Sequence, residues 1–189
     1  MIRKKRTIFF NSIIIALLLT IGFGCTPSIR RMMPNMDKAK LSHNNKSIKI
    51  LEASGQKIKN AGHIFDVQLT NLNSKKLTKL IRVSFEKSGM FKKVVLDGSA
   101  DYALTANIKY QAQRSDTYAA VESLIRIQYE IYQVNTNQVI WQDEIVSKNT
   151  VKFFQKLNGK SRAVKSLEGA VKKNMTELIN KVSQINFLP

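Results

Sequence analysis

The longest regular pattern in the chain is an alternation of apolar and polar residues that begins near residue 102. Apolar side chains occupy every second position in Tyr102–Tyr110 and again, apart from Ser123, in Val121–Ile131, which is typical of strands with one buried face. Residues 135–137, Asn-Thr-Asn, have the composition of a tight turn. The strand after this turn places three apolar residues on one face: Val139, Trp141 and Ile145. Three consecutive long strands of this kind predict an antiparallel meander with one solvated face.

Two other segments repeat apolar residues at intervals of three or four, which is the period of an amphipathic helix. In the first segment, Asn73 or Ser74 offers an N-terminal cap and Gly89 a C-terminal stop. The apolar positions between them are Leu77, Leu80, Ile81 and Phe85. The second segment begins at Ser161, and its apolar positions are Val164, Leu167, Val171, Met175, Leu178, Val182 and Ile185. We expect this second stripe to lie on the apolar face of the sheet.

Shorter strand-like runs lie on both sides of the first predicted helix. Ser47–Ser54 and Ile64–Leu69 precede it, and Met90–Leu96 follows it. The resulting order, β-α-β-β-β-β-α, predicts an α+β domain. Its antiparallel (meander) sheet should have about four to five strands, with two helices packed on one face. We assign this single domain to residues 47–189.

The first 25 residues follow a different pattern from the rest of the chain. A basic head, residues 2–6, precedes an apolar run that ends at Cys25, the single cysteine. A charged start followed by a short apolar run is typical of a secretory signal peptide. Its dense apolar core, Ile13–Leu19, is much shorter than the roughly 20 residues that a membrane-spanning helix requires. An uncleaved membrane anchor and an ordinary signal peptide are the alternatives.

Because the apolar run ends on cysteine, residues 1–24 resemble the signal peptide of a bacterial lipoprotein. Gly24 fits that pattern, whereas Gly22 stands where the family prefers Leu. The resemblance implies attachment of a diacylglyceryl group to the Cys25 thiol, cleavage before Cys25 and acylation of the new amine by a palmitate-like chain, which anchors the protein in the outer-membrane bilayer. Thr26 stands where lipoproteins retained in the inner membrane commonly have Asp. The resemblance therefore implies the periplasmic face of the outer membrane.

The segment after the cysteine, residues 25–46, shows neither period and contains two of the three prolines. We expect it to form a flexible tether between the anchor and the domain. Removal of residues 1–24 from the 189-residue chain would leave 165 residues, a length typical of one domain.

The chain has 31 Lys and Arg residues against 13 Asp and Glu residues, and four of the basic residues lie in the leader. The remainder therefore carries 27 − 13 = +14. In an exported protein this charge favours an envelope protein complex or anionic lipid as partner, and no nucleic acid. A basic surface that only solvates the domain is the alternative. The candidate contacts for an anionic partner are Lys165, Lys172 and Lys173, on the polar side of the second helix.

The chain lacks the residue sets that common catalytic sites require. Its two histidines, His43 and His63, do not have the spacing of zinc ligands. Asp143 and Glu144 are adjacent on a predicted strand, so they point to opposite faces and cannot act as a carboxylate pair. We expect a protein that is not an enzyme and that binds no metal and no cofactor.

Five short phrases occur in order along the predicted domain: Ser88–Val94, Ala100–Leu104, Tyr129–Tyr132, Val139–Gln142 and Ser166–Met175. Together they resemble small Gram-negative envelope lipoproteins whose domain is similar to the lipopolysaccharide-assembly lipoprotein, the TolB N-terminal domain and the penicillin-binding-protein activator lipoproteins. The resemblance implies a lipid-anchored periplasmic accessory or adaptor protein of a cell-envelope transport or assembly system. The alternative is a carrier or chaperone that binds an acyl chain or lipopolysaccharide in a cavity between helices and sheet.

Overall fold

A computed structural model describes residues 26–36, 41–55, 71–116, 120–156 and 158–187. Within these ranges the protein is α+β, with three α-helices: α1, Ile29–Met32; α2, Ser74–Ser88; and α3, Gly159–Val182. Six strands form one sheet: β1, Asn44–Ile50; β2, Ser54–Gly55; β3, Phe91–Val95; β4, Tyr102–Asp116; β5, Ala120–Gln133; and β6, Val139–Lys152. The leader, Cys25 and the strand predicted at 64–69 lie outside the described residues.

The sheet is mixed, so the predicted antiparallel meander of four to five strands is wrong. The strand order is β3-β1-β4-β5-β6, with β2 beside β4. Strand β1 pairs in parallel with both β3 and β4, whereas the pairs β4-β5 and β5-β6 are antiparallel. The parallel pairing with β3 arises because α2 connects the two strands, and a helical crossover lets the chain enter the sheet again in the same direction. The prediction of two helices is also corrected, since α1 precedes the sheet.

Helix α2 has the caps and the buried side that its sequence predicts. The Asn73 side chain accepts a hydrogen bond from the Lys76 amide at 2.8 Å, and Gly89 ends the helix with a φ of 68°. This left-handed conformation carries no Cβ penalty in glycine. Leu77, Leu80, Ile81 and Phe85 are all fully buried, in one core with one face of the sheet.

Helix α3 lies on β5 and β6, and its predicted apolar stripe is confirmed as far as Val182, whereas Ile185 lies beyond the end of the helix and is half-buried. The residues Val164, Leu167, Val171, Met175, Leu178 and Val182 are all buried. A buried polar contact fixes the helix against the sheet: Tyr129 donates from its hydroxyl to Asn174 Oδ1 at 2.6 Å, and Asn174 Nδ2 donates to the Ile145 carbonyl at 2.9 Å. Burial raises the pKa of Tyr129 well above its ordinary value, so the hydroxyl keeps the proton that it donates.

Both long helices begin at the same end of β4, because two glutamine side chains on that strand hold them there. Gln111 accepts from the Leu72 amide at 3.2 Å and donates to the Leu72 carbonyl at 3.1 Å, directly before α2. Two residues further along β4, Gln113 donates to the Ala163 carbonyl in the first turns of α3 at 2.8 Å. The N-terminal halves of α2 and α3 are therefore neighbours.

Asp101 connects the β3–β4 loop to β1, and it gives the fold an acid-sensitive contact. Its carboxylate accepts from the Ser47 hydroxyl at 2.6 Å and from the Ser47 amide at 2.7 Å, and these bonds lower the pKa of Asp101 below the ordinary value of 3.8. Because the pKa is lowered in the folded state, the ionised carboxylate stabilises the fold at pH values above the ordinary pKa. This contribution is lost as the pH falls through the lowered pKa.

We expect Asp101→Asn to reduce the stability of the protein at pH 7 and to flatten the decline of stability below about pH 4. Urea unfolding of both proteins between pH 2 and pH 7 measures this, and parallel pH profiles would contradict it.

Candidate functional site

The structure places the three predicted lysines on two sides of α3. Lys165 is exposed and Lys172 is half-buried, and they lie seven residues apart on one side of the helix. Lys173 points toward β6, where its ammonium group donates to the Lys148 carbonyl at 3.0 Å. Lys165 and Lys172 are thus available to a partner together, whereas Lys173 is engaged by the end of β6.

The chain that directly follows Cys25 is attached to both long helices. Lys76 of α2 donates to the Pro27 carbonyl at 2.9 Å, and Glu168 of α3 accepts from the Ser28 amide at 2.7 Å. Met32 is fully buried in the core. Residues 26–36, which the sequence assigned to a tether, therefore lie on the helix layer, and β1 begins at Asn44 inside the range expected for that tether.

The two layers of the fold differ strongly in charge. The helices α1, α2 and α3 contain thirteen Lys or Arg residues and three Glu residues, whereas the six strands together contain nine basic and five acidic residues. The three helix carboxylates form ion pairs within the layer: Arg31–Glu168 at 3.7 Å, Arg82–Glu86 at 3.4 Å and Lys181–Glu177 at 3.2 Å. The positive charge of the domain is therefore concentrated on the layer that the N-terminal segment crosses.

A basic groove that was not predicted from the sequence lies beside α2. It has a volume of about 680 Å³ and lies between the end of β1, α2 and the β3–β4 loop. Four cationic side chains line it: Lys49, Lys75, Lys79 and Arg82. Glu52 and Asp97 also line it, so its charge is mixed but mainly positive. The spacing of Lys75, Lys79 and Arg82, at i, i+4 and i+7, was the available signal, because residues so spaced share one side of a helix.

The face of the sheet that points away from the helices carries a row of partly exposed side chains. Tyr110, Arg126 and Val146 lie in register across β4, β5 and β6. Tyr110 is 37% exposed and Val146 is 48% exposed, although both are large and apolar. Arg126 forms an ion pair with Glu144 at 3.4 Å. We call this surface, Tyr110, Arg126 and Val146, the outer sheet row.

The space between the helices and the sheet is filled with side chains. Leu77 and Leu80 of α2, Leu167 and Met175 of α3 and Ile131 of β5 are each at most 1% exposed. These residues belong to one continuous cluster, so an acyl chain could enter there only by displacing them. Among the described residues, no helix is both long and apolar enough to cross a membrane, and no three His, Cys, Asp or Glu side chains are placed to hold a metal ion.

Comparison with solved structures shows that the fold occurs in several bacterial proteins. A DUF330 protein from Xanthomonas campestris has a TM-score of 0.65 and 14% sequence identity, and the match covers 83% of this chain and 92% of that one. A hypothetical protein from Chlamydia trachomatis has a TM-score of 0.55 and 9% identity, covering 75% of this chain and 98% of that one.

A third similar structure comes from Helicobacter pylori and is described as a homolog of the neuraminyllactose-binding hemagglutinin. Its TM-score is 0.51 with 13% identity, and the match covers 81% of this chain and 94% of that one. No protein-family model and no curated protein matches the sequence. At these identities the similarity shows the fold and leaves the function to be inferred from the chain itself.

Proposed function

We propose that this protein is a lipid-anchored accessory protein of the cell envelope, which acts without catalysis as an adaptor in a transport or assembly system. The acylated residue is Cys25, and the domain lies in the periplasm on the inner side of the outer membrane. The apolar run that ends at the single cysteine supports the anchor, and the similarity of the five sequence phrases to envelope lipoproteins supports the setting.

The observation that carries the adaptor role is the outer sheet row. An adaptor needs a surface that recognises a protein, and exposed apolar side chains with a polar rim are typical of such surfaces. Tyr110 and Val146 supply the apolar part, while the Arg126–Glu144 pair supplies polar groups beside them. The partner is an envelope protein that presents apolar side chains to this row.

The adaptor is tested by photo-crosslinking in living cells. A photoreactive phenylalanine analogue at Tyr110 should give one adduct of defined mass with an envelope protein. Val146→Asp should reduce that adduct severalfold, because the two positions lie in one row and a buried carboxylate opposes apolar contact. Val139→Asp is the matched control, since Val139 is 50% exposed on the same strand but lies beside the hairpin turn. Equal adducts from both variants, or no adduct from Tyr110, would contradict the adaptor role.

The basic groove favours a second candidate, a carrier for a phosphate-bearing lipid such as lipopolysaccharide. Lys75, Lys79 and Arg82 provide cations for phosphate, and Leu96, which is 40% exposed, provides apolar surface at the same opening. The ligand would then bind at the side of α2 and not in the filled space between helices and sheet. Co-purification of lipid phosphate that is lost in Lys79→Glu would support the carrier, and lipid-free protein would exclude it.

A further inference from the structure

We propose that the helix layer faces the anionic surface of the lipid bilayer, with the outer sheet row turned away from the membrane. This inference rests on the proposed acylation of Cys25 and adds the orientation of the domain. The contacting surface, which we call the basic helix face, consists of six exposed or half-exposed cations: Arg30, Arg31, Lys75, Lys79, Lys165 and Lys172.

The position of the anchor restricts the side of the domain that can meet the bilayer. Ser28 is held by Glu168 and Pro27 by Lys76, so the chain is fixed to the helix layer two residues after Cys25. An extended chain spans at most about 3.6 Å per residue, which leaves about 11 Å between the α-carbons of Cys25 and Ser28. Acyl chains on Cys25 therefore enter the bilayer close to α2 and α3.

The cations of the basic helix face surround this attachment point. Lys75 directly precedes Lys76 on α2, and Lys79 lies one turn after it. On α3, Lys165 lies three residues before Glu168 and Lys172 four residues after it, which places both within one turn of the residue that holds Ser28. Arg30 and Arg31 belong to α1 itself.

The charge of the helix layer complements an anionic membrane. Cations attract anionic headgroups only within about a Debye length, roughly 8–10 Å at physiological salt, so they must lie near the surface. The thirteen cations of the helices outnumber their three acidic residues, so the helix layer keeps a net charge of 13 − 3 = +10, although Arg31 of the basic helix face is paired with Glu168. An acidic protein would be attracted in the same way, but the anchor brings the bilayer to this side of the domain.

The orientation is measured with the acylated protein reconstituted into vesicles. A fluorophore is attached to Lys79→Cys on the basic helix face or to Val146→Cys on the outer sheet row, and the vesicles contain lipids with a headgroup quencher. In vesicles with phosphatidylglycerol, quenching at position 79 should exceed quenching at position 146 severalfold. The difference should shrink in vesicles of phosphatidylcholine alone and in 1 M salt, where the Debye length is about 3 Å.

Charge reversal supplies the second measurement. The pair Lys75→Glu and Lys165→Glu should reduce quenching at position 79 in the anionic vesicles, because each cation near such a surface strengthens its binding about fivefold. Lys109→Glu is the control, since Lys109 is an exposed lysine of β4. Equal quenching at the two labels, or stronger quenching at 146, would overturn the orientation while leaving the anchor intact.

Two other outcomes would also overturn the inference, and they are separable. Quenching at neither label, together with a crosslink in cells from position 79 to an acidic protein, would assign the basic helix face to that protein. If the mass of the purified protein includes no acyl chain, the protein has no lipid anchor. That result would contradict both this orientation and the proposed acylation of Cys25.

Discussion

Leu167→Ala should lower the free energy of unfolding by about 2–5 kcal/mol, the range observed when a buried leucine is truncated in a packed core. Leu167 is 1% exposed and lies in the N-terminal half of the α3 stripe that covers β5 and β6. The substitution removes apolar contacts and leaves a cavity, because the strands beneath the helix are held by their own hydrogen bonds. Urea denaturation followed by circular dichroism measures the loss.

A second substitution, Leu178→Ala, should add nearly its full cost, because three helical turns separate the two sites. The stability of a single domain is typically about 5–15 kcal/mol, so the double variant should be largely unfolded at 37 °C. Lys165→Glu is the control on the exposed side of the same helix, and we expect it to change stability by less than about 0.5 kcal/mol. Should Leu167→Ala melt like the wild type, α3 would not seal the sheet and the fold described here would be wrong.

Cys25→Ser should abolish incorporation of labelled palmitate and block cleavage of the leader at residue 25. The thiol is the single acylation site of its kind in the chain, and serine cannot form the thioether that a lipoprotein signal requires. The variant should therefore keep residues 1–24 and carry no acyl chain, and the absence of label should be complete because the chain has one cysteine. Metabolic labelling followed by immunoprecipitation measures the effect.

Thr26→Ser is the matched control for this experiment, because it changes the adjacent residue and keeps the cysteine. It should label like the wild type. Persistent labelling of the Cys25→Ser variant would show that the acyl chains are attached elsewhere, and the lipoprotein interpretation of the leader would then fail.

Local features of the fold were predictable from the sequence because they depend on neighbouring residues. The cap at Asn73 and the stop at Gly89 reflect backbone groups that a helix end leaves unpaired, and both are where the pattern places them. The α3 stripe was predictable because a spacing of three or four residues fixes one side of a helix. Burial of Leu167 and Val171 follows directly from it.

Strand direction was not predictable in the same way, and the meander was wrong for that reason. Alternation in β1 shows which side chains are buried but is the same for parallel and antiparallel pairing. The order β1, α2, β3 allowed a parallel crossover, and the structure has one. The end of β6 was not predicted either, because apolar and polar residues alternate only weakly over Lys148–Lys152.

The attachment of residues 26–36 to the helix layer was not predictable from the sequence, because the residues that form it are distant from one another in the chain. Lys76, Glu168 and Pro27 meet only after α2 and α3 are placed side by side by Gln111 and Gln113. The segment around Met32 has no periodic pattern, yet its methionine is fully buried. The segment shows no periodicity, which predicted a tether. A short segment that packs on helices also shows no periodicity, so the sequence pattern does not distinguish the two.

The anchor is tested most directly by the intact mass of the mature protein extracted from purified outer membranes. The proposed function predicts a chain that begins at Cys25 and is heavier than residues 25–189 by a diacylglyceryl group and one further acyl chain. The orientation and the adaptor role both depend on this attachment. A chain that retains residues 1–24, or one that begins elsewhere and lacks acyl mass, would contradict the proposed function.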